Sequence, residues 1–169
     1  MYTLAIDQSL TCSGYAFMRG DTLKVGRVMP KALKGVQRLS FIEKVMINLF
    51  DESEADSLIM EGYAMGARGR VFNLGELGGI IKLAAFSRDI PVLVVPPTTL
   101  KKWVTGKGNA PKDQMIAAVK KKWYKEVSSD DVADAVALYY FGEFYYEHAG
   151  KRRKSREIRD MMGRCEVEE

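Results

Sequence analysis

Residues 2–18 read Tyr2-Thr-Leu-Ala-Ile-Asp7-Gln-Ser-Leu-Thr-Cys-Ser-Gly14-Tyr-Ala-Phe-Met18, and this stretch sets the architecture of the whole chain. An apolar run ends on a carboxylate, a polar segment turns the chain, and a second run of aromatic and apolar residues begins at Ser13. Apolar runs bounded by small polar residues read as strands. Residues 22–29 make a third after the turn at Arg19-Gly20-Asp21, so the chain opens as an antiparallel meander. Beyond it the period changes. Leu33, Val36, Leu39, Ile42, Val45, Met46 and Leu49 recur at helical spacing and predict an amphipathic helix over 32–50. Residues 57–61 are a buried strand, 62–70 a glycine-punctuated loop, 71–88 a helix and 90–95 another buried strand. A short helix begins near Thr98, a basic helix covers 112–123, and a last helix covers 129–147. A meander followed by strands alternating with helices predicts an α/β fold. Its sheet is mixed, five-stranded and parallel in its second half, with right-handed crossovers.

Composition narrows the classes. With 169 residues, 47% of them hydrophobic, the chain has enough apolar material for one domain with a sizeable core. No apolar run reaches the roughly 18 residues needed to span a bilayer, and no secretory leader is visible at the start. Cys12 and Cys165 lie far apart and give neither a disulfide framework nor zinc spacing. The expected setting is a reduced cytoplasm. The net charge of +4 is mild, but it is unevenly spread. Residues 101–125 carry eight lysines against Asp113 alone, and residues 151–159 carry six Lys or Arg against Glu157. Such clusters are either solvated helix faces or a surface for a polyanion. The expected organisation is a domain over 1–148 and a charged, loose tail over 149–169.

The chemistry lies in four carboxylates that this topology can bring together. Asp7 and Glu61 each end a strand, where open α/β sheets place their sites. Asp131 and Asp134 stand at i, i+3 at the start of the last helix. Residues 132–141 are apolar apart from Asp134, so that helix packs inside and carries Asp134 with it. A buried carboxylate needs a partner charge, a metal or a proton. Asp130 reads instead as a helix-terminal acid favoured by the dipole. Clustered carboxylates repel one another, and a hard divalent cation relieves that repulsion. An all-oxygen ligand set selects Mg²⁺ or Mn²⁺ over zinc. Two such ions can hydrolyse a phosphodiester, which points to a metal-dependent nuclease.

Around this set stand residues suited to a phosphate backbone. The segment after Asp7 offers Ser9, Thr11, Ser13 and Gly14. Arg68 and Arg70 lie in the loop after Glu61. Lys101 and Lys102 stand beside Gly106-Lys107-Gly108, which lacks Walker spacing, and Lys112 is placed to hold the scissile phosphate. Tyr63 either packs or stacks on an unpaired base. Trp103 and Trp123 read as packing residues, and His148 as a surface residue. The helix over 71–88 is apolar nearly all round and carries Gly75, Gly78 and Gly79. Such a helix is buried on two sides, the second being either this chain or a partner subunit.

These motifs resemble, in their order and spacing, the RuvC-type Holliday junction resolvases of the ribonuclease-H-like superfamily. Asp7–Gly14 is similar to the family's opening D-x-S/G-L-x-x-x-G, and Met60-Glu61 to its second motif. Val94-Val-Pro-Pro-Thr-Thr-Leu-Lys101 and Val104–Lys112 resemble its basic third segment. Asp131-Val-Ala-Asp134-Ala-Val-Ala resembles its closing D-x-x-D-A-x-A. The compact size is similar to phage-type versions. The resemblance implies a homodimer that binds four-way and related branched DNA and makes paired nicks leaving 5′-phosphates. It implies two Mg²⁺ ions per site on Asp7, Glu61, Asp131 and Asp134, with no membrane partner. Two departures stand out: Ala64 where the family often has a junction-probing aromatic, for which Tyr63 or Phe72 can substitute, and the charged tail. An RNA–DNA hybrid nuclease and a non-catalytic binding module on the same fold are the alternatives.

Overall fold

A computed structural model describes residues 2–63, 71–127, 129–151 and 155–168. In chain order the elements are β1 (Thr3–Asp7), β2 (Ser13–Arg19), β3 (Thr22–Val28), α1 (Gly35–Ser53), β4 (Ser57–Glu61), α2 (Val71–Phe86), β5 (Val92–Val95), α3 (Pro97–Thr105), α4 (Lys112–Lys122), α5 (Asp130–Ala149), α6 (Arg156–Met162) and β6 (Glu166–Glu168). One mixed sheet runs in the order β3-β2-β1-β4-β5-β6. The meander pairs antiparallel, β1 with β2 and β2 with β3, and β4 and β5 join in parallel as expected.

Strand alternation divides the core in two. Leu4 and Ile6 of β1 and Leu58 and Met60 of β4 point to one face, where they pack with Ile42 and Met46 of α1 and Leu77 and Ile81 of α2. Ala5 and Ile59 point to the other face, where α5 lies with Val104 of α3 and Val119 of α4. With period-2 alternation, Asp7 and Glu61 share the α5 face. They lie one position beyond the paired residues Ile6 and Met60. Trp103 stacks on Trp123 with ring centroids 5.2 Å apart and meets Phe141 edge-on at 5.3 Å. This aromatic group pins α3 and α4 to α5, the packing role expected of both tryptophans.

The carboxyl-terminal region departs from expectation. Residues 155–168 are not a loose tail. α6 is capped by Ser155, whose Oγ accepts from the Ile158 amide at 3.2 Å. β6 pairs antiparallel with β5 and makes a sixth strand instead of five. Its alternation sets Glu168 opposite Val92 on the α2 face, where Lys82 reaches it at 2.5 Å. The charged composition hid a three-residue strand whose pairing comes from an open sheet edge rather than from its own apolar content. Among the described residues no helix is long and apolar enough to cross a membrane.

Candidate active site

The site forms where the ends of β1 and β4 meet the start of α5. One glycine makes that meeting possible. Gly14 lies opposite Asp7 in the β1–β2 ladder, and a Cβ there would come within 2.0 Å of the Asp131 carbonyl oxygen. Only a residue without a side chain lets the first turn of α5 press so closely onto β2. Ser129 fixes the helix start, its Oγ accepting from the Val132 amide at 3.3 Å. Asp131 and Asp134 are thereby carried to the two strand-end acids.

The four predicted carboxylates share one electrostatic environment. Asp7, 8% exposed, is held well above the usual carboxylate range. Burial is the largest cause, followed by repulsion from Glu61, Asp134, Asp131 and Asp130. Burial pushes Glu61 up to about 7, with Asp134 adding to it; Lys101 and a hydrogen bond with Asp7 work the other way. Asp134 is raised to about 6, again chiefly by burial, and Lys101 is the main influence opposing the rise. Among the described residues no three His, Cys, Asp or Glu side chains converge into a ready-made metal cluster. The acids lie within electrostatic reach of one another without meeting at one point. Their chemistry nevertheless fits a hard divalent cation: every donor is oxygen, and Asp7, Glu61 and Asp134 are desolvated and mutually repelling.

The basic residues take different places. Lys101 is half-buried on α3 and faces Glu61 and Asp134. Lys112 starts α4 and forms an ion pair with Asp130; each holds the other's charge, raising the lysine and lowering the acid. Lys102 and Lys107 lie further along the same basic segment, outside the carboxylate group. Ser9 lies in the turn after β1, its amide donating to Ser13 Oγ at 2.9 Å. Arg68 and Arg70, with Ala64, lie outside the described residues.

Tyr63 is packed rather than free. Its hydroxyl fills the space beside Gly78, where a Cβ would come within 2.2 Å of it, and Lys82 stands 6.0 Å from the ring centroid. Gly78 therefore faces inward, whereas Gly75 and Gly79 have open space beside them. Phe72 is the exposed aromatic near this end of the sheet, at 87%. His148 bonds to the Phe144 carbonyl through Nδ1 at 2.8 Å, a local contact within α5.

Three residues near the acids escaped the sequence reading in these roles. Gln8 donates through Nε2 to the Glu61 carbonyl at 3.0 Å and ties the two strand ends together. Cys12 hydrogen-bonds Asp131, and burial together with that contact lifts the thiol to about 11. Lys101, read as a phosphate contact, is the counter-charge of the carboxylates. Gln8 and Cys12 stood beside motif residues in sequence, but nothing in their spacing gave their direction.

Comparison with known proteins accords with this geometry. A model of the crossover junction endodeoxyribonuclease RuvC family matches residues 3–140. A RuvC of Chlamydia caviae is 33% identical over 148 residues, covering 80% of this chain and 88% of its own. One of Brachyspira hyodysenteriae is 29% identical and covers 82% and 91%. The Thermus thermophilus RuvC structure superposes with a TM-score of 0.73 at 20% identity, covering 88% of this chain and 97% of that one. The same protein in complex with Holliday junction substrate gives 0.74 at 19% identity. At these identities the structural likeness speaks for the fold. The family match over most of the sequence speaks for descent, and the chain belongs to the RuvC family of crossover junction endodeoxyribonucleases.

Proposed function

We propose that this endonuclease resolves four-way DNA junctions by paired nicks, with divalent metal held by Asp7, Glu61, Asp131 and Asp134. The observation that carries the reading is that Asp7 is buried and Glu61 and Asp134 are half-buried within electrostatic reach of one another, with Lys101 as the nearby cation. Desolvated carboxylates this close together either hold protons or stay ionised beside an opposite charge, and a divalent cation supplies that charge. Two Mg²⁺ or Mn²⁺ ions there would supply an activated water and neutralise charge on the leaving oxygen.

The residues divide the remaining work. Asp7 and Glu61 stand on rigid strand ends and orient what binds between them. Asp131 and Asp134 close the site from the helix. Lys101 limits repulsion among the acids before the substrate arrives. Lys112 exchanges Asp130 for the scissile phosphate, a move its exposure permits. Ser9, Lys102, Lys107, Arg68 and Arg70 contact the backbone to either side. Cleavage leaves a 5′-phosphate and a 3′-hydroxyl.

Symmetric nicking requires two matched sites, which a two-fold dimer provides. The surface for it is the outer face of α2, where Phe72, Leu83 and Phe86 are 87%, 53% and 66% exposed. Gly75 and Gly79 lie among them with open space alongside, so a second helix can approach closely. The test is a denaturing gel of an end-labelled immobile junction with and without Mg²⁺, beside an RNA–DNA hybrid duplex. Paired, metal-dependent cuts in the junction are expected; preferential cutting of the hybrid overturns the substrate.

A further inference from the structure

A second basic site lies beside the carboxylates, built by the region expected to be loose. A cleft of about 370 Å³ opens between α3 and α6, lined by Thr99, Lys102, Arg156, Glu157, Asp160 and Arg164 among others. None of the three cations in it forms an ion pair with a described residue. Thr99, on the α3 side, is 2% exposed, and its Oγ1 has no hydrogen-bond partner among the described residues. A buried hydroxyl without a partner is uncommon in a folded protein. Thr99 and Lys102 are three apart on α3 and share a face, while Arg156 and Arg164 bracket α6.

Two features connect this cleft to the active site. Lys101, next to Lys102 on the same helix, faces Glu61 and Asp134. Arg164 also lines the adjoining groove with Gly62 and Tyr63, the residues that come directly after Glu61. A strand of nucleic acid leaving the carboxylates can therefore run past Tyr63 and Arg164 and onto Lys102 and Arg156. The cations Lys102, Arg156 and Arg164 outnumber the acids Glu157 and Asp160, and the positive excess suits a phosphodiester.

We infer that the α3–α6 cleft is a phosphate-binding subsite that holds the backbone of a DNA arm beside the active site, with Arg156, Arg164 and Lys102 as cations and Thr99 Oγ1 as hydrogen-bond donor. The inference rests on the chain acting on branched DNA. It gives the carboxyl-terminal region a role in grip, separate from the carboxylate chemistry.

The experiment uses the full chain and a fluorescent immobile four-way junction, in EDTA so that cleavage does not enter. Anisotropy titrations run from about 50 to about 200 mM NaCl. Arg156→Glu with Arg164→Glu is expected to weaken binding on the order of tenfold and to lower the slope of log affinity against log salt by about 2. Thr99→Val should weaken binding about threefold, as expected for one lost neutral hydrogen bond. The arginines are exposed and form no ion pair with a described residue, so the thermal midpoint should hold; if it falls, Arg156→Gln with Arg164→Gln replaces the reversal. Affinity and salt slope equal to wild type in the folded arginine variant overturn the subsite. Wild type that binds the junction but does not cut it with Mg²⁺ removes the catalytic reading and leaves this one intact.

Discussion

Helices α2 and α5 look alike in sequence, since each is apolar nearly all round, yet the fold treats them differently. α5 is covered by its own chain: Val132, Ala133, Ala135, Val136, Ala137, Leu138 and Phe141 are buried, with sheet on one side and α3 and α4 on the other. α2 buries Leu77, Gly78, Ile81, Ala84 and Ala85 against α1 and the sheet and leaves Phe72, Leu83 and Phe86 outside. An all-round apolar pattern says that a helix has two neighbours; it does not say whether both belong to the same molecule. The polar residues make the difference meaningful. α5 carries Asp134, half-buried, beside the strand-end acids. The outer face of α2 is apolar and glycine-lined and carries no such acid.

The largest effect tests the charged helix. Asp134→Asn, and equally Asp7→Asn, should reduce junction cleavage by at least about 10³-fold, the scale of a lost electrostatic group in a catalytic site. Junction binding in EDTA should change little, because neither residue lies on the basic surface. Retained Mg²⁺-dependent cleavage in either variant removes that carboxylate from the ligand set.

Core truncation separates the two helices next. Leu138→Ala on α5 should cost about 2–5 kcal/mol of stability. Leu83→Glu on α2 should leave the thermal midpoint of the isolated subunit nearly unchanged and convert a dimer to a monomer by light scattering. If Leu83→Glu unfolds the chain, or if wild type is monomeric and still makes paired nicks, α2 is not an interface.

The acids also give the metal-free protein a pH dependence. Asp134 at about 6 and Glu61 at about 7 lie above their ordinary values near 4. The folded state therefore holds protons that the unfolded state has released, and stability falls as pH rises from about 4 to about 7. For Asp134 alone the shift corresponds to roughly 3 kcal/mol. Thermal melts in EDTA should show this decline, with Asp134→Asn flattening it and Mg²⁺ restoring stability at about pH 8. A midpoint that rises across the same interval contradicts the burial of these carboxylates.

The smallest effect contrasts neighbouring glycines on α2. Gly79→Ala meets open space and should stabilise the subunit by up to about 1 kcal/mol. Gly78→Ala drives a methyl into the Tyr63 hydroxyl and should destabilise it by about 1–3 kcal/mol. Equal midpoints for the two variants would show that Tyr63 is not seated there.

Much of the fold was legible in the sequence, because two periodicities carried it. Apolar runs closed by acids located β1 and β4, and the strand over 57–61 was placed to the residue. Helical spacing located α1, and α2, α4 and α5 were also placed to within a few residues. The acids were legible for a different reason: Asp134 interrupts an apolar helix, and such an interruption needs a compensating partner. What escaped depends on long-range contacts. Gly14 was read as a position suited to a phosphate backbone, and only the fold reveals the Asp131 carbonyl against it. Tyr63 has no spacing that seats it on Gly78. The pairing of Lys112 with Asp130 joins two helices, and β6 has too few residues for any pattern.

The strand Glu166–Glu168 has a consequence for how the chain survives its own synthesis. β5, Val92-Leu-Val-Val95, is short, aliphatic and free of proline, the kind of edge that recruits strands from other molecules. Its cover arrives only after α3 through α6 have been made, so on the ribosome that edge stands open throughout. Once β6 docks, the outermost strand is Glu166-Val-Glu168, three residues long and acidic at both ends, and it repels further copies. Nonsense or proteolytic loss of these few residues would then appear first as aggregates in the cell, before any defect in catalysis could be measured.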